Sequence, residues 1–186
     1  MIITIAGEPG SGKTTIADML SKHLNWPEHY VGAMRREAAK AKNMTLEEYN
    51  KLGEKDPATD KEVDEWQKEL GKKEDNFIIQ GRTSWYFIPH SIKLYIKVDP
   101  RVGAERIFNQ LQSKERTDEV REYETVEDIM ALNEKRVASD NKRYRQYYGI
   151  EAYDEKNFDF VVDTTSKPVD KVFSEILQYI EPKITD

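Results

Sequence analysis

Several features are absent from the sequence, and each absence excludes a class of structure or function. It contains no cysteine, which excludes disulfide bonds, thiolate nucleophiles and cysteine-ligated zinc. Positive charge is not in excess: 29 basic and 35 acidic residues give a net charge of -6, which argues against a protein whose overall field collects nucleic acid. No uncharged apolar stretch approaches the roughly 18 residues of a membrane span, and the chain start lacks the basic segment of a signal peptide. We therefore expect a cytoplasmic protein with neither a nucleic-acid nor a membrane partner.

What the sequence does contain is an alternation of strand and helix patterns. Short apolar runs suit buried parallel strands, and they occur at 2–6, 77–79, 92–98 and 158–162. Helical patterns separate these runs, an order that builds a parallel sheet covered by helices. At 186 residues the chain is close to one ordinary domain. We predict a single α/β domain over residues 1–186.

Two charged segments interrupt this alternation. Residues 33–73 contain three helical patterns and no strand-like run, and the second pattern opens with a capping box from Thr45 to Glu48. We predict a helical insertion there. A polar segment within residues 111–136 predicts a small mobile lid, although its charge content fits a merely solvated connection equally well.

The first strand runs directly into a phosphate-binding motif. The pattern G-x-x-x-x-G-K-[ST] is satisfied by Gly7, Glu8, Pro9, Gly10, Ser11, Gly12, Lys13 and Thr14. An amphipathic helix follows, so backbone N–H groups and the positive end of the helix dipole would face an anion. In such a loop the lysine reaches the β- and γ-phosphates and the threonine hydroxyl binds Mg²⁺. We predict ATP binding with Lys13 as a catalytic residue and Thr14 as the metal ligand.

Arginines elsewhere in the chain suggest what the bound ATP is used for. Arg36 opens the helical insertion, and Arg82 follows the strand at 77–79, at the edge where open α/β sheets bind ligands. Guanidinium groups in such places suit an acceptor phosphate, whereas a surface arginine is usually just solvated. The sequence contains neither the N-K-x-D motif for guanine nor the D-x-x-G motif of the γ-phosphate switch, both of which a switch GTPase would usually show.

A third group of charged residues lies on the long helix that begins near residue 125. Arg136, Asp140 and Arg143 are spaced by four and three, so they share one helix face. They could close over the cleft and neutralise the moving phosphoryl charge, or they could form an intrahelical salt-bridge ladder.

With these residues laid out, the chain resembles the nucleoside monophosphate kinases, and specifically the archaeal type of cytidylate kinase. The resemblance covers nearly the whole length, and it rests on 7–15, Gly32, Arg36, 44–49, Gly81, Arg82, 104–107, 136–144, 148–150 and 161–166. Gln80 is a departure, because such kinases often carry an acidic residue at this point.

The resemblance implies both a fold and a set of roles. The fold is the three-layer P-loop NTPase fold, a five-stranded parallel sheet flanked by helices. The nucleotide site would extend to Thr15, and Arg36 and Arg82 would hold the acceptor phosphate. Arg136 would act on the transferring phosphoryl group, while Asp140 and Arg143 would contact the acceptor.

The expected reaction moves the γ-phosphoryl group of ATP to CMP, and to dCMP, giving ADP and CDP with Mg²⁺ as cofactor. Catalysis then rests on Lys13, Arg82, Arg136 and Arg143, in an enzyme that we expect to be a monomer. Two alternatives stay open at this point: a small kinase for AMP, UMP or a non-nucleotide acceptor, and a nucleotide-binding regulatory protein that has lost transfer activity.

Overall fold

The computed structural model describes residues 1–113 and 123–184. Its centre is a five-stranded sheet in the order β2-β3-β1-β4-β5, and every neighbouring pair is parallel. The strands are β1 (Ile2–Gly7), β2 (Glu28–Tyr30), β3 (Phe77–Gln80), β4 (Ile92–Lys97) and β5 (Phe160–Asp163). The predicted parallel sheet of five strands is therefore confirmed.

Helices follow the strands in the alternation that the sequence predicts. They are α1 (Lys13–Leu24), α2 (Val31–Ala41), α3 (Leu46–Gly53), α4 (Ala58–Lys73), α5 (Ser84–Phe87), α6 (Pro100–Gln112), α7 (Val126–Tyr148) and α8 (Val169–Ile184). None of the helices in the described ranges is both long enough and apolar enough to cross a lipid bilayer.

The sheet differs from expectation at its two edges. β2 has no apolar run, because its sequence is Glu-His-Tyr and all three residues are half-buried. It forms a strand by pairing with β3, where Tyr30 lies opposite Gln80. At the other edge, β5 begins at Phe160, two residues later than the apolar pattern suggests, and ends at Asp163.

Apolar side chains on both faces of the sheet produce the three layers. On one face α1 and α8 pack against β1, and Ile5, Leu20 and Ile176 are fully buried there. On the other face α4 covers β3, with Phe77 and Leu70 in the same cluster. Fully burying side chains of this kind contributes roughly 1.5–3 kcal/mol each, which is enough to fix the sheet under its ligand-binding edge.

The segment 33–73 contains most of α2 together with α3 and α4, and no strand. The capping box that opens α3 is formed: Thr45 Oγ1 accepts from Glu48 N at 3.2 Å, and Glu48 Oε2 accepts from Thr45 N at 2.7 Å. These two bonds satisfy backbone donors that the first turn of a helix otherwise leaves open.

The long helix α7 joins this insertion to the sheet. It starts after Thr125, which caps it, and ends at Gly149 in the left-handed conformation (φ 69°). Tyr147 donates to the carbonyl of Gly53 at 2.8 Å, so α7 is held against α3. The predicted lid at 111–136 begins in α6 and ends in α7, and its part at 114–122 lies outside the described residues.

Candidate active site

The phosphate loop is shaped by close backbone contacts that only glycine permits. Gly10 has φ 74°, and a Cβ there would lie 2.2 Å from the carbonyl oxygen of Gly103. The loop thus packs onto the start of α6, while the following helix α1 begins at Lys13 with no side chain capping its first N–H groups. Uncapped N–H groups beside a turn of glycines form an anion cradle.

Two side chains of the loop, those of Lys13 and Thr14, are suited to bind phosphate and a metal cation. Lys13 Nζ donates to the carbonyl of Glu8 at 2.5 Å and to Ser11 Oγ at 3.4 Å, so its ammonium group lies over the loop. The Thr14 hydroxyl donates to Gln80 Oε1 at 3.1 Å. Glu8 turns away and accepts from Val98 N at 2.6 Å, and burial raises the pKa of its carboxyl.

One continuous cleft of about 1140 Å³ includes this loop. We call the part lined by the loop the loop end; it contains Gly7, Pro9, Gly10, Ser11, Gly12, Lys13, Thr14 and Thr15. Arg106 extends the loop end from α6, where its guanidinium group donates to Thr164 Oγ1 at 2.9 Å and to the Thr164 carbonyl at 2.6 Å. Thr164 in turn donates to the Ser11 carbonyl at 3.2 Å, which ties the loop to β5.

We call the opposite part of the cleft the arginine end, and it is lined by Arg35, Arg36 and Arg82. The guanidinium of Arg36 lies over the Tyr30 ring at 4.8 Å from its centre, and its NH1 donates to the Tyr30 hydroxyl at 3.1 Å. Arg82 Nε is 2.7 Å from Asp140 Oδ2 and donates to the Tyr153 hydroxyl at 2.7 Å. The predicted residues Arg36 and Arg82 therefore line the same cleft as Lys13.

A buried chain of alternating charges supports the arginine end. Arg143 NH2 lies 2.5 Å from Asp140 Oδ1, and its NH1 lies 2.9 Å from Asp60 Oδ2. Asp60 also pairs with Arg35. In order the chain reads Arg35, Asp60, Arg143, Asp140, Arg82, so three guanidinium groups meet two carboxylates.

These pairings favour the charged forms of Asp140 and Arg82, because they lower the pKa of the acid and raise the pKa of the base. Burial alone would raise the pKa of Asp140, but the charges of Arg82 and Arg143 hold it below its usual value. Burial works against the charged form of Arg82 as well, and the carboxylate of Asp140 raises its pKa despite this. Asp140 and Arg82 therefore both stay charged, which fixes Arg82 by charge as well as by hydrogen bonds.

The long helix does not deliver its three charged residues to the cleft together. Arg136 lines the cleft, as expected. Asp140 and Arg143, in contrast, have fully buried side chains and are absent from the cleft wall. The intrahelical salt bridge weighed from their spacing is present, and it connects outward to Arg82 and Asp60. The reason is packing: Arg82 and Asp60, on other segments, pair with these two groups inside the protein.

Gln80 occupies a position between the loop and two carboxyl groups. Its Oε1 accepts from Thr14, and its Nε2 donates to Glu28 Oε1. Glu28 is hydrogen-bonded to Asp18, four residues after Thr14 on α1. Burial and this second carboxyl raise the pKa of Glu28 to about 7.

Sequence reasoning missed several residues at the arginine end. Arg35 lines the cleft directly before Arg36, but neighbouring arginines gave no basis for choosing it. Asp60 and Asp64 on α4 line it too, and burial raises the pKa of Asp64 to about 6. A usable signal existed, because positions 60, 64 and 67 share the helix face where apolar residues would stand and all three are polar.

Fold and site together define a P-loop kinase: a parallel α/β sheet with a phosphate cradle and cationic groups opposite it in one cleft. Comparison with known proteins narrows this class. Residues 3–128 match a family model described as AAA domain. The chain is 33% identical over 181 residues to a cytidylate kinase of Methanocella arvoryzae, with 97% of each chain covered. It is 34% identical to the cytidylate kinase of Methanocaldococcus jannaschii, with 97% of this chain and 98% of that protein covered. The chain belongs to the cytidylate kinase family.

Solved structures support the fold independently. A shikimate kinase from Aquifex aeolicus superimposes with a TM-score of 0.55 at 23% identity, covering 99% of this chain and 98% of that one. An uncharacterised protein from Eubacterium ventriosum gives a TM-score of 0.68 at 18% identity, covering 97% and 98%. At these identities the likeness establishes the fold alone.

Proposed function

We propose that the protein transfers the γ-phosphoryl group of ATP to CMP, and to dCMP, giving ADP and CDP. The observation that carries the proposal is the single cleft in which Lys13 lines one end and Arg36 and Arg82 line the other. Two anionic substrates can meet there, because each end offers its own cationic groups. The family membership supports the same acceptor, since the relatives are named cytidylate kinases.

ATP lies at the loop end. Backbone N–H groups of the loop and the start of α1 bind the β-phosphate, and Lys13 reaches from the β- to the γ-phosphate. The oxygen donors around Thr14 fit Mg²⁺, which prefers hard oxygen ligands and keeps several waters. When bound, Mg²⁺ would neutralise phosphate charge, with Thr14 as its protein ligand.

CMP lies at the arginine end, with its phosphate between Arg36 and Arg82. At neutral pH this phosphate is an anion, so no general base is needed. One of its oxygens forms a bond to the γ-phosphorus, while the bond from that phosphorus to the bridging oxygen of ADP breaks. Lys13 and Arg136 neutralise the charge that spreads over the transferred group.

Asp140 and Arg143 support the acceptor site indirectly. Both are fully buried, and Asp140 contacts Arg82 at 2.7 Å. In this proposal they are positioning residues that hold the Arg82 guanidinium toward the acceptor phosphate, in place of the direct CMP contacts that the resemblance implies.

We further propose that the enzyme is a cytoplasmic monomer that binds no nucleic acid. Its net charge of -6 opposes a general attraction to polyphosphate chains, so the cationic groups act locally inside the cleft.

The proposal is tested by measuring ADP release in a coupled assay, with CMP, dCMP, UMP, AMP and shikimate offered separately against an ATP-only blank. We expect the highest kcat/KM for CMP. Turnover with another acceptor and none with CMP or dCMP would overturn the assignment of the acceptor. No turnover with any acceptor, together with a melting temperature raised by ATP, would instead indicate a nucleotide sensor.

A further inference from the structure

We infer that Glu28 supplies the acidic group of the magnesium shell, acting through Gln80 on the Thr14 hydroxyl. The inference deepens the proposed function, because it concerns the metal that accompanies ATP at the loop end. Glu28 lies on the edge strand β2, outside the phosphate motif and outside every residue that the resemblance implicates.

The first support is the continuity of the contacts. Thr14 Oγ1 donates to Gln80 Oε1 at 3.1 Å, and Gln80 Nε2 donates to Glu28 Oε1. An amide has distinct donor and acceptor ends, so a carboxylate on its nitrogen fixes which end faces Thr14. Glu28 therefore keeps the Gln80 oxygen directed at the threonine hydroxyl, whose own oxygen stays available to a cation.

The second support is burial. Gln80 is 2% exposed, so its amide cannot exchange these partners for water, and Glu28 is half-buried beside it. Buried polar groups that orient a metal ligand act as the outer layer of a metal site. Register pairing between β2 and β3 sets the arrangement, since Glu28 lies opposite Ile78 and Tyr30 opposite Gln80.

The third support is the charge around the group. Asp18 lines the cleft, follows Thr14 by one helical turn and is hydrogen-bonded to Glu28. Two carboxyl groups in contact repel one another when both are ionised, and a divalent cation nearby relieves this repulsion. A divalent cation nearby would therefore favour the state in which both carboxyl groups are ionised.

Together these contacts explain how Gln80 can stand where related kinases often have an acid. The negative charge lies on β2, at Glu28, instead of at the end of β3. Gln80 stands between Glu28 and Thr14 and connects the two by hydrogen bonds.

The test measures metal binding without turnover. Mn²⁺ is titrated into the enzyme in the presence of a saturating unreactive ATP analogue. Electron paramagnetic resonance then gives the Mn²⁺ concentration at which half of the enzyme–analogue complex contains the metal. Glu28→Gln should raise this concentration about tenfold, the lower end of what the loss of an outer-layer partner costs. The matched control Glu69→Gln removes one carboxylate from the exposed side of α4 and should leave it unchanged.

A second variant separates metal binding from folding. In the double variant Glu28→Gln with Gln80→Glu, the carboxylate stands next to Thr14 and the amide lies outside it, so Mn²⁺ affinity should return to within about twofold of wild type. The inference is overturned if Glu28→Gln binds Mn²⁺ like wild type, or if the double variant remains as weak as the single one. No acceptor is present, so the result is independent of whether CMP is the substrate.

Discussion

The two ends of the cleft are built by different means. The loop end depends on backbone groups from one continuous segment, shaped by glycines and by the start of α1. The arginine end depends on side chains from four segments, namely α2, α4, the turn after β3 and α7, joined by buried ion pairs. A backbone N–H group is kept by every substitution except proline, whereas each member of a charge chain can be replaced.

Because of this difference, we expect substitutions at the two ends to affect different properties of the protein. Substitution of Lys13 at the loop end should slow the chemical step without unfolding the protein, because its side chain is partly exposed. Substitution in the charge chain should affect the fold first, because the removal of one buried partner leaves another uncompensated.

Lys13→Ala should lower kcat at least about a thousandfold, since it removes a charge aligned with the developing phosphoryl charge. The melting temperature should change little, because the Lys13 side chain is only half-buried and its hydrogen bonds to the Glu8 carbonyl and to Ser11 Oγ lie within the loop. Steady-state kinetics and thermal unfolding measure the two effects. Lys72→Ala, on the exposed side of α4, is the control. A variant within tenfold of wild type would contradict the role of Lys13.

Asp140→Asn should destabilise the protein by about 3–5 kcal/mol, the usual cost of removing one partner from a buried ion pair. Asp140 is fully buried and holds both Arg82 and Arg143. Urea denaturation gives the free energy of unfolding. The control is Glu151→Gln, which removes one partner of the exposed pair with Arg145 and should cost less than about 1 kcal/mol. Equal losses in the two variants would contradict the claim that the buried charge chain stabilises the fold.

The same contrast explains how much of the site could be predicted from sequence. The loop end was predictable because its residues are contiguous and follow a strand. The burial of Arg143 was not, because its partner Asp60 lies 83 residues away and only the folded chain brings the two together. Arg36 and Arg82 were predictable from position, one opening the insertion and one ending a strand.

The strand β2 was not identified from the sequence for a similar reason. Four strands are readable as apolar runs, whereas β2 is three polar or aromatic residues whose conformation depends on pairing with β3. The carboxyl pair of Asp18 and Glu28 was missed along with it. Pairing with a distant strand leaves no local pattern in the sequence.

Arg82→Lys should raise the KM for CMP about tenfold and leave the KM for ATP unchanged. An ammonium group can keep the charge beside Asp140, but it loses the fork that reaches Tyr153 and the acceptor phosphate together. Initial rates with each substrate varied in turn measure this. Arg145→Lys, on the exposed face of α7, is the matched control. An equal rise in both KM values would show that the two ends are not separate.

The smallest expected effect concerns Asp64, which lines the arginine end and accepts from the Tyr148 hydroxyl. Burial raises its pKa from 3.8 to about 6 in the folded protein. Between these values the folded state binds more protons than the unfolded state, so the free energy of unfolding falls as the pH rises. From pH 5 to pH 8 the loss from this group is about 1.4 kcal/mol.

Asp64→Asn should remove that contribution, because an amide does not ionise. Relative to wild type, the variant should therefore gain about 1.4 kcal/mol on going from pH 5 to pH 8, measured by urea denaturation at both values. Asp60 and Arg35 face the same carboxyl with opposite effects and are unchanged in the variant, so the comparison isolates Asp64. An identical pH dependence in the two proteins would mean that Asp64 stays ionised at pH 5, and the arginine end would then carry one more negative charge than the burial of this carboxyl predicts.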